Sequence, residues 1–157
     1  GAPWPDLSDA ALRRGLAAWL EPLLAGATGR ADVDRVDLAR TLRGMIPYDV
    51  VADLDRLAPE ALTVPSGRRV PLRYDDGAPG DPPVLAVRVQ QMFGVAETPT
   101  VANGRVPVTL HLLSPADRPV QVTSDLAGFW AGSWHDVRKD MAGRYPKHDW
   151  PEYPSRP

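Results

Sequence analysis

Apolar positions in the first third of the chain recur at helical spacing. Leu12, Leu16, Trp19, Leu20 and Leu23 fall at i, i+4, i+7, i+8 and i+11, one stripe of a 3.6-residue repeat, with Ser8 or Asp9 placed to cap the start and Pro22 to interrupt it. Asp37 precedes Leu38, Leu42 and Met45, which predicts a short second helix. Pro47 at a first-turn position opens a third, with Val50, Val51, Leu54 and Leu57 on one side, and Pro59 closes the helical region. From Leu62 the period shortens to two. LTV, the turn PSG and RRVPLRY, with apolar Val70, Leu72 and Tyr74, predict a β-hairpin. Asp75 to Pro83 reads as a loop. Asp81 as cap and Pro82 in the first turn predict a helix carrying Leu85, Val89, Met92 and Phe93, with a strand over VLAVRV as the alternative.

Two further strands are predicted over Arg105 to Leu113 and Pro119 to Thr123, joined by the turn SPADR, where Pro115 and Asp117 supply turn chemistry. Thr123 or Ser124 caps a helix beginning DLAGFW, and Ser133 caps another through HDVRKDMAGRY. The fold class expected is therefore α+β. A helical segment over residues 1–60 precedes a small antiparallel OB-like or Greek-key β-domain over residues 61–157, which ends in helices and an aromatic, basic tail. The boundary is expected near Pro59.

Composition narrows the chemistry more than the fold. At 157 residues with 43% hydrophobic and 24% charged residues, the chain is long enough for a core of its own. Eighteen Lys+Arg against twenty Asp+Glu give a net charge of −2, so any basic surface must be local. Absence of cysteine removes disulfides, thiolate zinc sites and a cysteine nucleophile. The longest apolar runs, GLAAWL and PVLAV, fall far short of the ~18 residues of a membrane span, and a cytoplasmic setting is the expectation. Neither GxxxxGK[ST] nor GxGxxG occurs, so no phosphate cradle for a nucleotide is expected. His111, His135 and His148 are too scattered for a helical metal motif, and Ser133, His135 and Asp136 are chain neighbours, whereas triad members converge from distant positions. No catalytic, cofactor or metal site is expected.

Binding chemistry concentrates at the end of the chain. Six of the eleven aromatics (Phe129, Trp130, Trp134, Tyr145, Trp150 and Tyr153) lie there, interleaved with Arg138, Lys139, Arg144, Lys147 and His148. Cations that track phosphates beside rings that stack on bases are what single-stranded nucleic acid requires. Phe129, Trp130 and Trp134 also recur at near-helical spacing with Val137 and Met141, which points to packing against a sheet. For Tyr145, Lys147 and His148, in a proline-punctuated segment, partner contact and ordinary surface placement stay equally open. Arg68 and Arg69 fall at a hairpin end, either as solvated arginines or as part of a binding loop.

VPSGRRVPLRY, PPVLAVRVQQMFG, RVPVTLHLLSPADRPVQVTSDLAGFW and VRKDMAGRYPKHDWP, in that order, resemble the C-terminal region of the bacterial ATP-dependent helicase family HrpB, from about Ala58 to Glu152. The preceding helices resemble the end of that family's ratchet-type segment. Gln91, Asp117 and Ala142 depart from the family, which more often has Glu, Gly and Arg there, and the last change removes a cation from the tail. HrpB-type proteins resemble other DEAH helicases, in which RecA-like motor domains hydrolyse ATP with Mg and later parts guide single-stranded RNA or DNA. The resemblance implies an accessory end without the motor, partnered by the motor domains of its own parent chain. Its implied nucleic-acid contacts are Arg138, Lys139, Arg144, Tyr145, Lys147 and His148, with Arg68 and Arg69 second. The alternative is a buttress or protein-interaction module without nucleic-acid contact.

Overall fold

A computed structural model describes residues 5–78 and 80–155. They fall into two compact units, one up to Leu54 and one from Asp55 onward. No helix among the described residues is long and apolar enough to cross a membrane.

In the first unit the single interrupted helix expected from Ser8 to Leu23 is three short ones: α1 (Asp9–Arg14), α2 (Leu16–Trp19) and α3 (Glu21–Leu24). Ser8 caps α1 with its hydroxyl on the Ala11 amide, as expected. The first break falls at Gly15, a weak helix former, and the second just before Pro22, which has no amide to donate. The Trp19 indole N–H reaches back across the first break to the Leu12 carbonyl at 2.9 Å. A one-turn helix, α4 (Arg30–Val33), is an addition that the apolar pattern did not signal. Asp37 caps α5 (Leu38–Gly44) through the Arg40 amide at 2.9 Å, and Pro47 immediately precedes α6 (Tyr48–Leu57), whose last three residues fall in the second unit.

The second unit is built on a mixed five-stranded sheet. Its strands are β1 (Ala61–Thr63), β2 (Arg69–Arg73), β3 (Val84–Arg88), β6 (Thr109–Leu113) and β7 (Pro119–Thr123), in spatial order β1-β2-β3-β6-β7. Two-residue strands β4 (Thr100–Val101) and β5 (Val106–Pro107) form a separate small hairpin. The α+β class stands, with two corrections. Residues 81–93 do not form a helix but follow the alternative, a strand: Val84–Arg88 is the central strand and Val89–Met92 a 3-10 turn. A central strand is covered on both faces, so it reads as a near-continuous apolar run, and here that run mimicked helical spacing. Nor is the sheet wholly antiparallel, because β3 and β6 pair in parallel, Val84 opposite Thr109 through Arg88 opposite Leu113. The crossover between them holds the 3-10 turn and the β4–β5 hairpin.

Helices α7 (Leu126–Ala131) and α8 (Trp134–Arg144) complete the unit. Asp125, not Thr123 or Ser124, caps α7 by accepting from the Gly128 amide at 2.8 Å; Thr123 instead accepts the Asp125 amide at 2.9 Å. Gly128 is needed there, since a Cβ would collide with the Asp125 carboxylate. Leu85, Val89, Leu110, Leu112 and Leu126 are fully buried and join Phe129, Trp134, Met141 and Trp150 in one core. Removing such side chains from water is the main force holding this unit together.

Candidate nucleic-acid interface

Most of the tail's rings are turned inward, while Tyr153 is 59% exposed. Phe129, Trp134 and Trp150 are buried, and Phe93, Trp130 and Trp134 meet edge-on or tilted, with Phe93–Trp134 at 5.6 Å and Trp130–Trp134 at 5.3 Å. Such contacts add to the area term in holding an aromatic core. The packing reading therefore holds for Phe129, Trp130 and Trp134.

The indole N–H groups explain how a proline-rich segment is held over this cluster. Pro146, Pro151 and Pro154 lack amide donors, so the segment after α8 cannot join a ladder, yet its carbonyls still need partners. Trp134 donates to the Pro151 carbonyl at 3.0 Å and Trp150 to the Tyr145 carbonyl at 3.0 Å. The Arg138 Nε–H donates to the Trp150 carbonyl at 2.7 Å, and the Gly94 amide to Pro154 at 2.7 Å.

These ties sort the expected tail residues. Arg138, half-buried, spends its Nε–H on the chain itself. Tyr145 packs against the core and donates its hydroxyl to Ser114 Oγ at 3.3 Å, so its ring is committed. His148 is exposed, with its ring 6.3 Å from those of Tyr145 and Trp150. Arg144 is exposed but paired with Asp140 at 2.9 Å, one helical turn away. Lys139 and Lys147 are exposed and make no ion pair or side-chain hydrogen bond among the described residues.

Arg68 and Arg69 lie at one end of the sheet, and Arg88 and Arg118, which their own sequence context does not single out, lie at the same end. In the β1–β2 turn the Gly67 amide donates to Val64 at 2.8 Å, and the Val64 amide to Arg68 at 3.0 Å. In the β6–β7 turn the Asp117 amide donates to Ser114 at 2.9 Å, and the Ser114 amide to Arg118 at 2.8 Å. Both are three-residue hairpin loops that begin with proline and end in a left-handed residue before the arginine, φ being 79° at Gly67 and 58° at Asp117. Antiparallel pairing of β2 with β3 and parallel pairing of β3 with β6 bring both turns and Arg88 to the same end of the sheet. The signal in the sequence was the shared pattern of VPSGR and SPADR.

At that end Arg88 donates from Nε and one terminal nitrogen to the two oxygens of Asp117, at 2.8 and 2.9 Å. The fork holds the Asp117 carboxyl below its ordinary value of 3.8, with Arg68 contributing through space, and raises Arg88 in turn. Arg68, Arg69 and Arg118 are exposed and make no side-chain hydrogen bond or ion pair among the described residues. Arg118 also lines a cleft of about 310 Å³ with Asp136, Asp140, Arg144 and Tyr145, where the charges balance.

Comparison with known proteins places this arrangement in a larger context. A family model described as the ATP-dependent helicase C-terminal (HrpB) matches residues 19–154. The ATP-dependent RNA helicase HrpB of Escherichia coli K12 is 45% identical over 152 residues, which cover 97% of this chain and 18% of that protein. Two solved structures are also similar. The E. coli DExH-box NTPase HrpB superposes with a TM-score of 0.90 at 44% identity, over 99% of this chain and 19% of that one. The E. coli DEAH/RHA helicase HrpB does so with a TM-score of 0.73 at 42% identity, over 94% of this chain and 18% of that one. This chain thus spans about a fifth of the length of these relatives.

Proposed function

The chain belongs to the C-terminal family of HrpB-type ATP-dependent helicases, and from that premise we propose that it helps hold single-stranded RNA or DNA for ATP-driven motor domains without hydrolysing ATP itself. One observation carries this reading. Phe129, Trp130, Trp134, Tyr145 and Trp150 pack in or against the core while Lys139, Lys147, Arg68, Arg69 and Arg118 stand exposed and without an ion pair among the described residues. A surface of that kind contacts phosphates and leaves bases unread, so binding is sequence-independent and weakens with salt. Such indifference suits a strand that must move through a motor.

The test is fluorescence anisotropy with labelled single-stranded RNA and DNA at about 50 and 200 mM salt. Replacing Lys139 and Lys147 together by alanine lowers the magnitude of the log-log salt slope by about 1.4, at about 0.7 for each lost phosphate contact. No binding at the lower salt, or binding indifferent to salt, removes the reading.

A second role is favoured by the first unit. Helices α1 to α5 contain no buried residue, and Leu16, Leu23, Val33, Leu38 and Met45 are all 39–48% exposed. Apolar side chains displayed in this number fit a buttress covered by the motor domains. Contacts of that type persist at high salt, so association of this chain with separately produced motor domains at about 200 mM salt reads this role apart from RNA binding.

A further inference from the structure

The sheet end that carries both hairpin turns brings together arginines that lie far apart in the chain. Arg68, Arg69, Arg88 and Arg118 gather there, in a chain whose net charge is −2. Arg88 stands opposite Leu113, and Leu113 opposite Pro119, which follows Arg118. With strands about 4.8 Å apart, the row from β2 to β7 covers about 14 Å. Among the described residues of these strand ends and turns the acid is Asp117, both of whose oxygens sit in the Arg88 fork; Arg118 also borders Asp136 and Asp140 of α8 across their shared cleft. A carboxylate held by two parallel N–H donors has the geometry in which guanidinium also grips phosphate.

We propose that this end of the sheet is a site for the phosphates of a single-stranded polynucleotide, formed by Arg68, Arg69, Arg88 and Arg118, and that Asp117 occupies part of it as a built-in anion that withholds Arg88. This rests on the nucleic-acid reading above and gives that reading a location away from the tail. The left-handed turn position makes the arrangement distinctive. A φ of 58° is one that glycine adopts without strain, so the backbone does not require an acid there. Asp117 costs the turn some ease, and its carboxylate is spent on Arg88. As long as that pair stands, Arg88 is fixed in direction and neutralised, and Arg68 feels the same negative charge. An incoming phosphate must displace the carboxylate to take the two donors of the Arg88 fork, and without that displacement it meets a guanidinium already neutralised, so affinity is held below what four free arginines would give.

Asp117→Gly separates turn geometry from charge, because it relaxes the backbone while releasing Arg88. The probe is a short fluorescein-labelled oligouridylate, read by anisotropy across about 50–200 mM salt. Asp117→Gly tightens binding roughly two- to fivefold at the lower salt, the range of one exposed ion contact. Its salt slope steepens by about 0.7, for one added phosphate. Asp117→Asn, which also tolerates a left-handed backbone, moves affinity in the same direction and guards against an effect of glycine alone. Arg68→Ala with Arg118→Ala flattens the slope by about 1.4.

Unchanged affinity in both Asp117 variants overturns the role of Asp117, and unchanged affinity in the arginine variant overturns the site. Loss of binding in the Lys139/Lys147 variant with none in the arginine variant overturns this location and leaves the broader reading standing. Absence of RNA binding by the unsubstituted chain overturns both. Displacement of the RNA by polyglutamate as readily as by inorganic polyphosphate, at equal charge, marks the edge as a surface for acidic protein and also overturns the proposal.

Discussion

Arg138→Met tests whether the cation at the centre of the basic tail serves the ligand or the fold. The substitution keeps an apolar stem of similar reach and deletes only the guanidinium, whose Nε–H lies 2.7 Å from the Trp150 carbonyl. That carbonyl belongs to the buried residue of a segment whose neighbouring prolines provide few other donors. A part-buried acceptor left without a partner costs about 1–2 kcal/mol, somewhat less than a fully desolvated one. Spread over a cooperative unit of about 100 residues, at roughly 4–8 °C per kcal/mol, the melting temperature falls by about 4–16 °C. Thermal melts followed by far-UV circular dichroism read this directly, and anisotropy with single-stranded RNA below the melt shows affinity within about twofold of the parent. An unchanged melting temperature together with a large loss of RNA affinity would refute the assignment of Arg138 to the C-terminal tie and return it to the ligand.

Two smaller perturbations probe the paired hairpin turns. Gly67→Ala places a side chain at φ 79° with nothing within 4 Å of the new Cβ, so its effect is backbone strain alone; the urea midpoint drops by the equivalent of about 1–2 kcal/mol, and an unchanged midpoint contradicts the turn geometry. The Arg88–Asp117 pair sets a pH signature, because a carboxyl whose folded value lies below 3.8 adds stability above its unfolded value and loses it as pH falls through the folded one. The gap in urea midpoint between the parent and Asp117→Asn is therefore full at neutral pH and closes below about pH 4; a gap constant down to about pH 2 shows that the ion pair is not its source.

Some local signals in the sequence held where the chain itself settles the structure, whereas Ser133, at the N-cap position of α8, makes no capping bond with its side chain. Ser8 and Asp37 cap helices because a short oxygen-bearing side chain can reach an amide two or three residues on, whatever the rest of the molecule does. The hairpin around Gly67 was legible for the same reason: a proline, a small polar residue and a glycine define the loop by themselves. Residues 81–93 left a helix and a strand both open, and the strand prevails because their environment is set from far away. β3 lies between β2 and β6, and its apolar run expresses cover on both faces, a fact held in the pairing with Thr109 to Leu113. Short apolar runs of this kind carry no period of their own, and the helical spacing of Leu85, Val89 and Met92 was a product of a strand passing into a 3-10 turn.

The candidate site shows the same division between near and far. Counting cations next to aromatics drew attention to the tail, yet side-chain type does not say which end of an amphipathic group faces water. Three of the tail's features, the indole N–H groups, the Tyr145 hydroxyl and the Arg138 Nε–H, are polar handles that satisfy backbone or serine inside the unit. Residues that look like a ligand surface are instead what a proline-rich segment requires in order to be held down. The arginines at the sheet end look ordinary in sequence, since Arg68 and Arg88 are separated by a loop and Arg118 by a further strand pair. They are brought together only by a parallel crossover that no local pattern announces. A repeated turn motif was the one trace available: proline to start each loop, a left-handed residue to end it, and an arginine next. When two hairpins of one sheet share such a turn, and the strands between them run so that both turns face the same way, the residues after each turn must share an edge. The motif thus predicts a location as well as a conformation, and at that location Asp117 is where turn geometry and charge can be varied independently.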